Sequence, residues 1–153
     1  MQSFERDPLI LLNDVARLMR TRFDQRARTR GMTRAQWVIL ARLSRQPGLS
    51  QNEMAAICEV EPITVGRLID RLETRGYVER RPDPSDRRIR RLHLLPAAQS
   101  AIDEISDYRE ELCESILNGL DGPERELLVD ALLQIKNNMN AEAALAPQLV
   151  PGG

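Results

Sequence analysis

Residues 62–95 read PITVGRLIDRLETRG (62–76), YVERR (77–81), PDPSDRR (82–88) and IRRLHLL (89–95). The first segment carries Val65, Leu68, Ile69 and Leu72 at the i, i+3, i+4, i+7 spacing of one helix face. Pro62 sits at a first-turn position, where its missing N–H costs nothing, and Gly76 supplies the stop. Tyr77–Arg81 and Ile89–Leu95 alternate partially, as two antiparallel strands do, with Leu92 and Leu94 on one face and Arg91 and His93 on the other. The intervening Pro82-Asp83-Pro84-Ser85-Asp86 excludes helix and predicts a turn-rich loop. A helix followed by a short hairpin is therefore expected. Nine of the chain's 22 basic residues lie between Arg67 and Arg91.

Moving outward, Ser50 opens the preceding segment SQNEMAAIC, with Glu53 at the capping-box position and Leu49 placed to staple onto Met54. A short turn around Glu59–Glu61 joins this helix to the next, which is helix-turn-helix spacing. Thr33 with Gln36 forms an earlier capping box for a helix carrying Trp37, Val38, Leu40, Ala41 and Leu43, ending at Pro47-Gly48. From Pro8 to about Arg28, Leu11, Leu12, Val15, Leu18, Met19 and Phe23 recur at helical spacing, and Gly31 ends that helix. Pro96 begins a long helix to about Leu120. Asp121-Gly122-Pro123 breaks it, and a last helix, with Leu127, Leu128, Leu132, Ile135 and Met139, runs to about Ala144. The fold class is thus mainly α with a small β-hairpin: a winged helix-turn-helix flanked by N- and C-terminal dimerisation helices. The expected division is 1–31 and 96–146 for dimerisation, 32–95 for the central lobe, and 147–153 for a flexible tail.

The chain has 153 residues and a formal net charge of −1, so bulk charge does not point to a polyanion. Its distribution does. Residues 1–60 hold 10 Arg against 6 acids, residues 61–91 hold 9 against 6, and residues 92–153 hold 3 basic residues against 11 acidic ones. A basic centre with an acidic far end can meet a polyanion locally. The long terminal helices are too amphipathic to be covered by so small a centre, which predicts a second copy of the chain. No apolar run is long enough to span a membrane and the first residues lack a signal peptide's pattern, so a cytoplasmic protein without a membrane partner is expected. One histidine, no metal-ligand cluster, no Gly-rich phosphate loop and no nucleophile elbow argue against an enzyme, a cofactor or a metal site.

In a helix-turn-helix the second helix enters the major groove N-terminal end first. Its outward positions are Thr64, Arg67, Arg71 and Thr74. Thr64 and Arg67 are the base-edge candidates, because Arg can fork onto guanine and Thr can offer a hydroxyl or a methyl. Gly66 is expected to let the backbone approach phosphate. The plainer alternative is that Arg67 and Arg71 pair with acids such as Asp70 and Glu73. At the hairpin, Asp86 and Arg88 sit two apart, so that a carboxylate can hold an Arg extended toward a narrow minor groove. The hairpin arginines (Arg80, Arg81, Arg87, Arg88, Arg90 and Arg91) favour DNA over a protein-interaction wing, which would be apolar or acidic.

TVGRLIDRLETRGYVER together with DPSDRRIRRLHLL resembles the MarR family of bacterial transcription regulators, in its recognition helix, its Leu-Glu-x-x-Gly stop and its D-x-R wing. The flanking helices match in length and order. Leu95-Pro96 departs from the family's usual Leu-Thr, which implies a changed cap rather than a changed fold. The resemblance implies a homodimer on a pseudo-palindromic operator in double-stranded DNA, a repressor released by a small aromatic or phenolic ligand. Its DNA-facing set would be Ser50, Gln51, Thr64, Arg67, Arg71, Asp86, Arg87, Arg88 and Arg90. Met19, Phe23, Arg30 and Trp37 would line a ligand pocket, although Phe23 and Trp37 also fit plain core positions. Two alternatives remain open: a winged-helix protein-interaction module without DNA binding, and a redox sensor acting through Cys58 or Cys113.

Overall fold

The computed structural model describes residues 4–145. The expected tail at 147–153 lies outside them. Six α-helices and one two-stranded antiparallel sheet follow in the order α1 (Pro8–Thr29), α2 (Arg34–Arg45), α3 (Gln51–Cys58), α4 (Pro62–Thr74), β1 (Val78–Pro82), β2 (Arg90–Leu94), α5 (Gln99–Ile116) and α6 (Gly122–Leu145). This is a winged helix-turn-helix between long terminal helices. By packing, the chain divides into two compact units, one up to Tyr108 and one from Arg109.

The helix starts are set by local chemistry. Asp7 caps α1 by accepting from the amides of Leu9 (2.8 Å) and Ile10 (3.3 Å). Thr33 accepts from Gln36 N (3.2 Å) while the Gln36 side chain accepts from Thr33 N (2.9 Å). Ser50 and Glu53 repeat this reciprocal arrangement at α3, at 3.1 and 2.8 Å. Each box satisfies two amides that a helix start leaves orphaned, worth about 1 kcal/mol. A third box opens α6, where Asp121 and Glu124 exchange bonds of 2.8 and 2.9 Å. The Asp-Gly-Pro segment is therefore a helix start as well as a break. The turn between α3 and α4 uses Glu59 in the left-handed region (φ 54°), a conformation that only short segments of L-residues tolerate.

The first unit's core joins Ile39, Leu40 and Leu43 of α2, Met54 of α3, Val65, Ile69 and Leu72 of α4, Val78 of β1 and Leu92 of β2. Nearly all are fully buried. Each contributes roughly 1.5–3 kcal/mol through burial, which fixes α4 and the hairpin on one scaffold. Ala27 of α1 and Ala98, Ala101 and Ile105 beyond the hairpin share this core. The first helix thus packs with the central lobe as well as leading to it.

Two boundaries differ from expectation. The strands begin and end a residue off the sequence estimate, with Val78 opposite Leu94 and Pro82 opposite Arg90. Pro82 has no N–H to donate, so the ladder ends there. The helix expected to reach Leu120 stops at Ile116, because the chain turns through Gly119 at φ 91°. It also begins later than Pro96, since Pro96–Ala98 form a 3-10 turn.

Outside the core, α1 exposes Leu9, Leu11, Leu12, Val15 and Leu18, and α6 exposes Leu127, Val129, Leu132, Leu133, Ile135 and Met139. No helix among the described residues is long and apolar enough to cross a membrane.

Candidate nucleic-acid interface

The buried stripe Val65–Ile69–Leu72 turns the opposite face of α4 outward, so Thr64, Arg67, Arg71 and Thr74 are exposed. Neither Arg67 nor Arg71 makes an ion pair among the described residues. The neighbouring acids Asp70 and Glu73 are held elsewhere. Arg80 of β1 donates through Nη1 to Asp70 Oδ1 (2.7 Å) and Glu73 Oε1 (2.6 Å). Two unpaired guanidiniums on one face of a groove-sized helix are free to meet an external acceptor.

The wing is built from two aspartates with different tasks. Asp83, nearly buried, accepts through Oδ1 from Ser85 N (2.8 Å), Ser85 Oγ (2.6 Å) and Asp86 N (3.1 Å). Its Oδ2 accepts from Arg91 Nε at 2.7 Å. Arg91 also donates to Gly48 O (3.2 Å), and Leu92 N donates to Leu49 O (2.9 Å), so the segment before α3 pairs with β2. The Ser85 hydroxyl and then the Arg91 guanidinium hold the Asp83 carboxyl well below the usual carboxylate range. Asp86 lies at the tip. It accepts from Arg88 N (3.0 Å), Nε (3.1 Å) and Nη2 (3.1 Å), and Arg88 lowers its pKa. The Arg88 side chain is 91% exposed, so the bracing leaves it presented to solvent. Arg87 and Arg90 are exposed as well.

A depressed carboxyl pKa stabilises the folded form above the unfolded value, about 4 for Asp, and that contribution fades only as pH falls through the folded value. The wing should accordingly keep its geometry from neutral pH down to about 4. Asp83→Ala is expected to lower amide-exchange protection at Ser85 and Asp86 by roughly tenfold while sparing α4. Unchanged protection in that variant would mean the turn holds without its aspartate.

Several expected site residues are placed differently. Gly66 does not open α4 toward a phosphate. It faces α3, where an added Cβ would lie 3.0 Å from Gln51 Nε2. Gln51 is half-buried and accepts from Arg80 Nε (3.2 Å), so its side chain ties α3 to the hairpin rather than standing free. The Ser50 hydroxyl oxygen caps α3. Of the hairpin arginines, Arg80 and Arg91 turn to internal partners. Between residues 50–53 and the wing residues 88–91 lies a cleft of about 280 Å³.

The expected ligand-pocket residues cluster around a residue the sequence did not single out. Tyr108 stacks edge-on against Phe23 (centroids 5.4 Å) and Trp37 (6.2 Å) and lies under the Arg26 guanidinium. Arg30 pairs with Glu104, and so is not free as an anion partner. Met19 is half-buried. Trp37 is buried, and its indole N–H has no acceptor among the described residues. Neither cysteine is fully buried: Cys58 is half-buried and Cys113 exposed. Burial pushes the Cys58 thiol up, against the pull of Arg34 and Arg42.

This arrangement of helix pair, recognition-type helix and arginine-tipped hairpin defines a winged helix-turn-helix protein. A family model described as MarR family matches residues 30–89. The crystal structure of transcriptional regulator PA3341 is 32% identical with a TM-score of 0.76, the match covering 86% of this chain and 96% of that one. A crystal structure of MarR is 25% identical with a TM-score of 0.80, covering 95% and 99%. The MepR–DNA complex from S. aureus is 22% identical with a TM-score of 0.73, covering 90% and 99%. The chain belongs to the MarR family of winged-helix transcription regulators.

Proposed function

We propose that the protein is a homodimeric, sequence-specific DNA-binding regulator. It would repress its targets from a pseudo-palindromic operator and leave that operator when a small aromatic or phenolic ligand binds. The observation that carries the DNA reading is the pairing pattern of the arginines. Among the described residues, Arg67 and Arg71 have no ion-pair partner on the outward face of α4, and Arg88 is presented at the wing tip by Asp86. A protein-interaction wing would have no use for that selective exposure of charge. The similarly folded MepR, solved as a complex with DNA, supports the DNA-binding reading. Each half-site would receive α4 in the major groove and the wing in the adjacent minor groove.

The exposed apolar residues of α1 and α6 support a second copy that would cover them. For the effector, the supporting feature is the Phe23–Trp37–Tyr108 aromatic group. The raised Cys58 thiol favours ligand control over redox control at that residue, since the thiolate is the reactive form. A cytoplasmic location suits a regulator of DNA.

Titration with duplex DNA at several salt concentrations tests the reading. Log K is expected to fall linearly with log salt, by about 0.9 for each phosphate neutralised. A flat salt dependence, or no binding, would falsify it.

A further inference from the structure

The DNA reading above assigns α4 its outward arginines, but α4 also carries Asp70 and Glu73 on the flank beside them. Asp70 stands one turn from Arg67, at i+3, the distance at which carboxylate and guanidinium pair along a helix. Its side chain is 66% exposed. Left alone, Asp70 would draw Arg67 sideways, and both acids would repel a phosphate strand laid against α4. The structure supplies one cation to each of these problems, and it is the same one. Arg80 stands opposite Leu92 in the hairpin, on the strand face turned to the helices. Its side chain is only 22% exposed, and every nitrogen is engaged: Nη1 with Asp70 and Glu73, Nη2 with Gly66 O at 3.0 Å, Nε with Gln51 Oε1 at 3.2 Å. Four of its five N–H donors are thus spent inside the protein.

We infer that Arg80 is a positioning residue for DNA recognition: it neutralises Asp70 and Glu73 and thereby keeps Arg67 free for the groove. This rests on the DNA-binding reading. Gly66 belongs to the same device: the missing side chain lets Gln51 lie against the α4 backbone, and the Gly66 carbonyl accepts from Arg80 Nη2. Arg80 thus acts through its carboxylate partners and not by touching DNA.

The test compares full-length wild type, Arg80→Ala, Arg80→Ala with Asp70→Asn and Glu73→Gln, and Asp70→Asn with Glu73→Gln alone. Fluorescence anisotropy on a duplex selected by the wild type is read at several salt concentrations. Arg80→Ala should bind roughly tenfold more weakly, and adding the two amides should restore affinity to within about twofold. The slope of log K against log salt should be the same for all four proteins. The amide pair alone should bind as well as wild type, and this holds the proposal to account even where Arg80→Ala does not fold. Arg80 would instead be a phosphate contact if its loss lowered the slope by about one and the amides gave no rescue. Undiminished binding by Arg80→Ala, or a tenfold loss in the amide pair alone, would also overturn the proposal. Wild type that selects no duplex would overturn the DNA reading itself, a result separate from any of these.

Discussion

Leu132→Glu combined with Met139→Glu is expected to leave the protein monomeric and to weaken operator binding by roughly 10²–10⁴-fold. Both side chains lie on α6, seven residues apart and hence on one face, and both are exposed in the single chain (42% and 65%). Burial against a second copy would contribute about 1.5–3 kcal/mol for each such side chain. A glutamate in their place would have to be desolvated without a partner, which costs several kcal/mol. The helix stays intact, because glutamate is a good helix former. The affinity loss follows from geometry. A dimer binds its second half-site at an effective concentration in the millimolar range, and a monomer forfeits that advantage without losing one DNA contact. Sedimentation equilibrium at micromolar protein reads the mass directly. A dimer mass for this variant would place the interface away from α6.

Arg67→Ala should cost roughly 1–3 kcal/mol of operator affinity, about 5- to 150-fold, and relax specificity at one base pair per half-site. Arg67 is exposed near the start of α4 and makes no ion pair among the described residues, so its removal breaks no salt bridge there. Arg88→Ala should act otherwise. It removes a cation drawn to negative potential, and its effect should track minor-groove width rather than any one base. Binding measured across a panel of single-base operator variants separates the two. Equal and negligible effects of both substitutions would mean the interface lies elsewhere on the protein.

These outcomes depend on features that differ in how far the chain announces them. The caps are local, and Thr33/Gln36 and Ser50/Glu53 are readable because three residues suffice to make a box. The α4 stripe is readable because its period is regular. The partners of Arg80 and Arg91 are not, since they depend on strand register and on how the hairpin meets α3 and α4. In sequence, Asp86 marks Arg88, but nothing marks the partners of Arg80 and Arg91 as internal. In the structure, those two are internal ties and Arg88 is held out at the tip. Asp83 carried a usable signal, because an Asp two residues before a Ser in a proline-rich turn favours a side-chain-to-backbone bond at i+2. A glycine such as Gly66 shows in sequence only that something approaches closely, and here the neighbour is Gln51. Tyr108 is hidden in sequence for a similar reason. Its contact with α1, through Arg22 O at 3.3 Å, spans 86 residues of chain. The early end of α5 turns on a single left-handed glycine, Gly119, a conformation sequence period cannot reveal.

Arg75 supplies one more long-range tie that no periodicity would disclose. From the end of α4 it donates to Arg30 O (3.2 Å) and Gly31 O (2.7 Å) at the end of α1. Arg30 in turn reaches Glu104 on α5. The recognition helix is therefore anchored at its far end to the helices that border the aromatic cluster. A ligand that preferred a different setting of α1 would act on α4 through these bonds, with a coupling typically about 1–3 kcal/mol.

The central claim is that two copies of α4 and its wing read DNA together. Selection of bound duplexes from a random library, with the purified full-length protein, tests it most directly. The expected product is a pseudo-palindrome whose half-sites are centred about 10–10.5 bp apart, one helical turn. An enriched site with a single unrepeated element, or no enrichment at all, would contradict it.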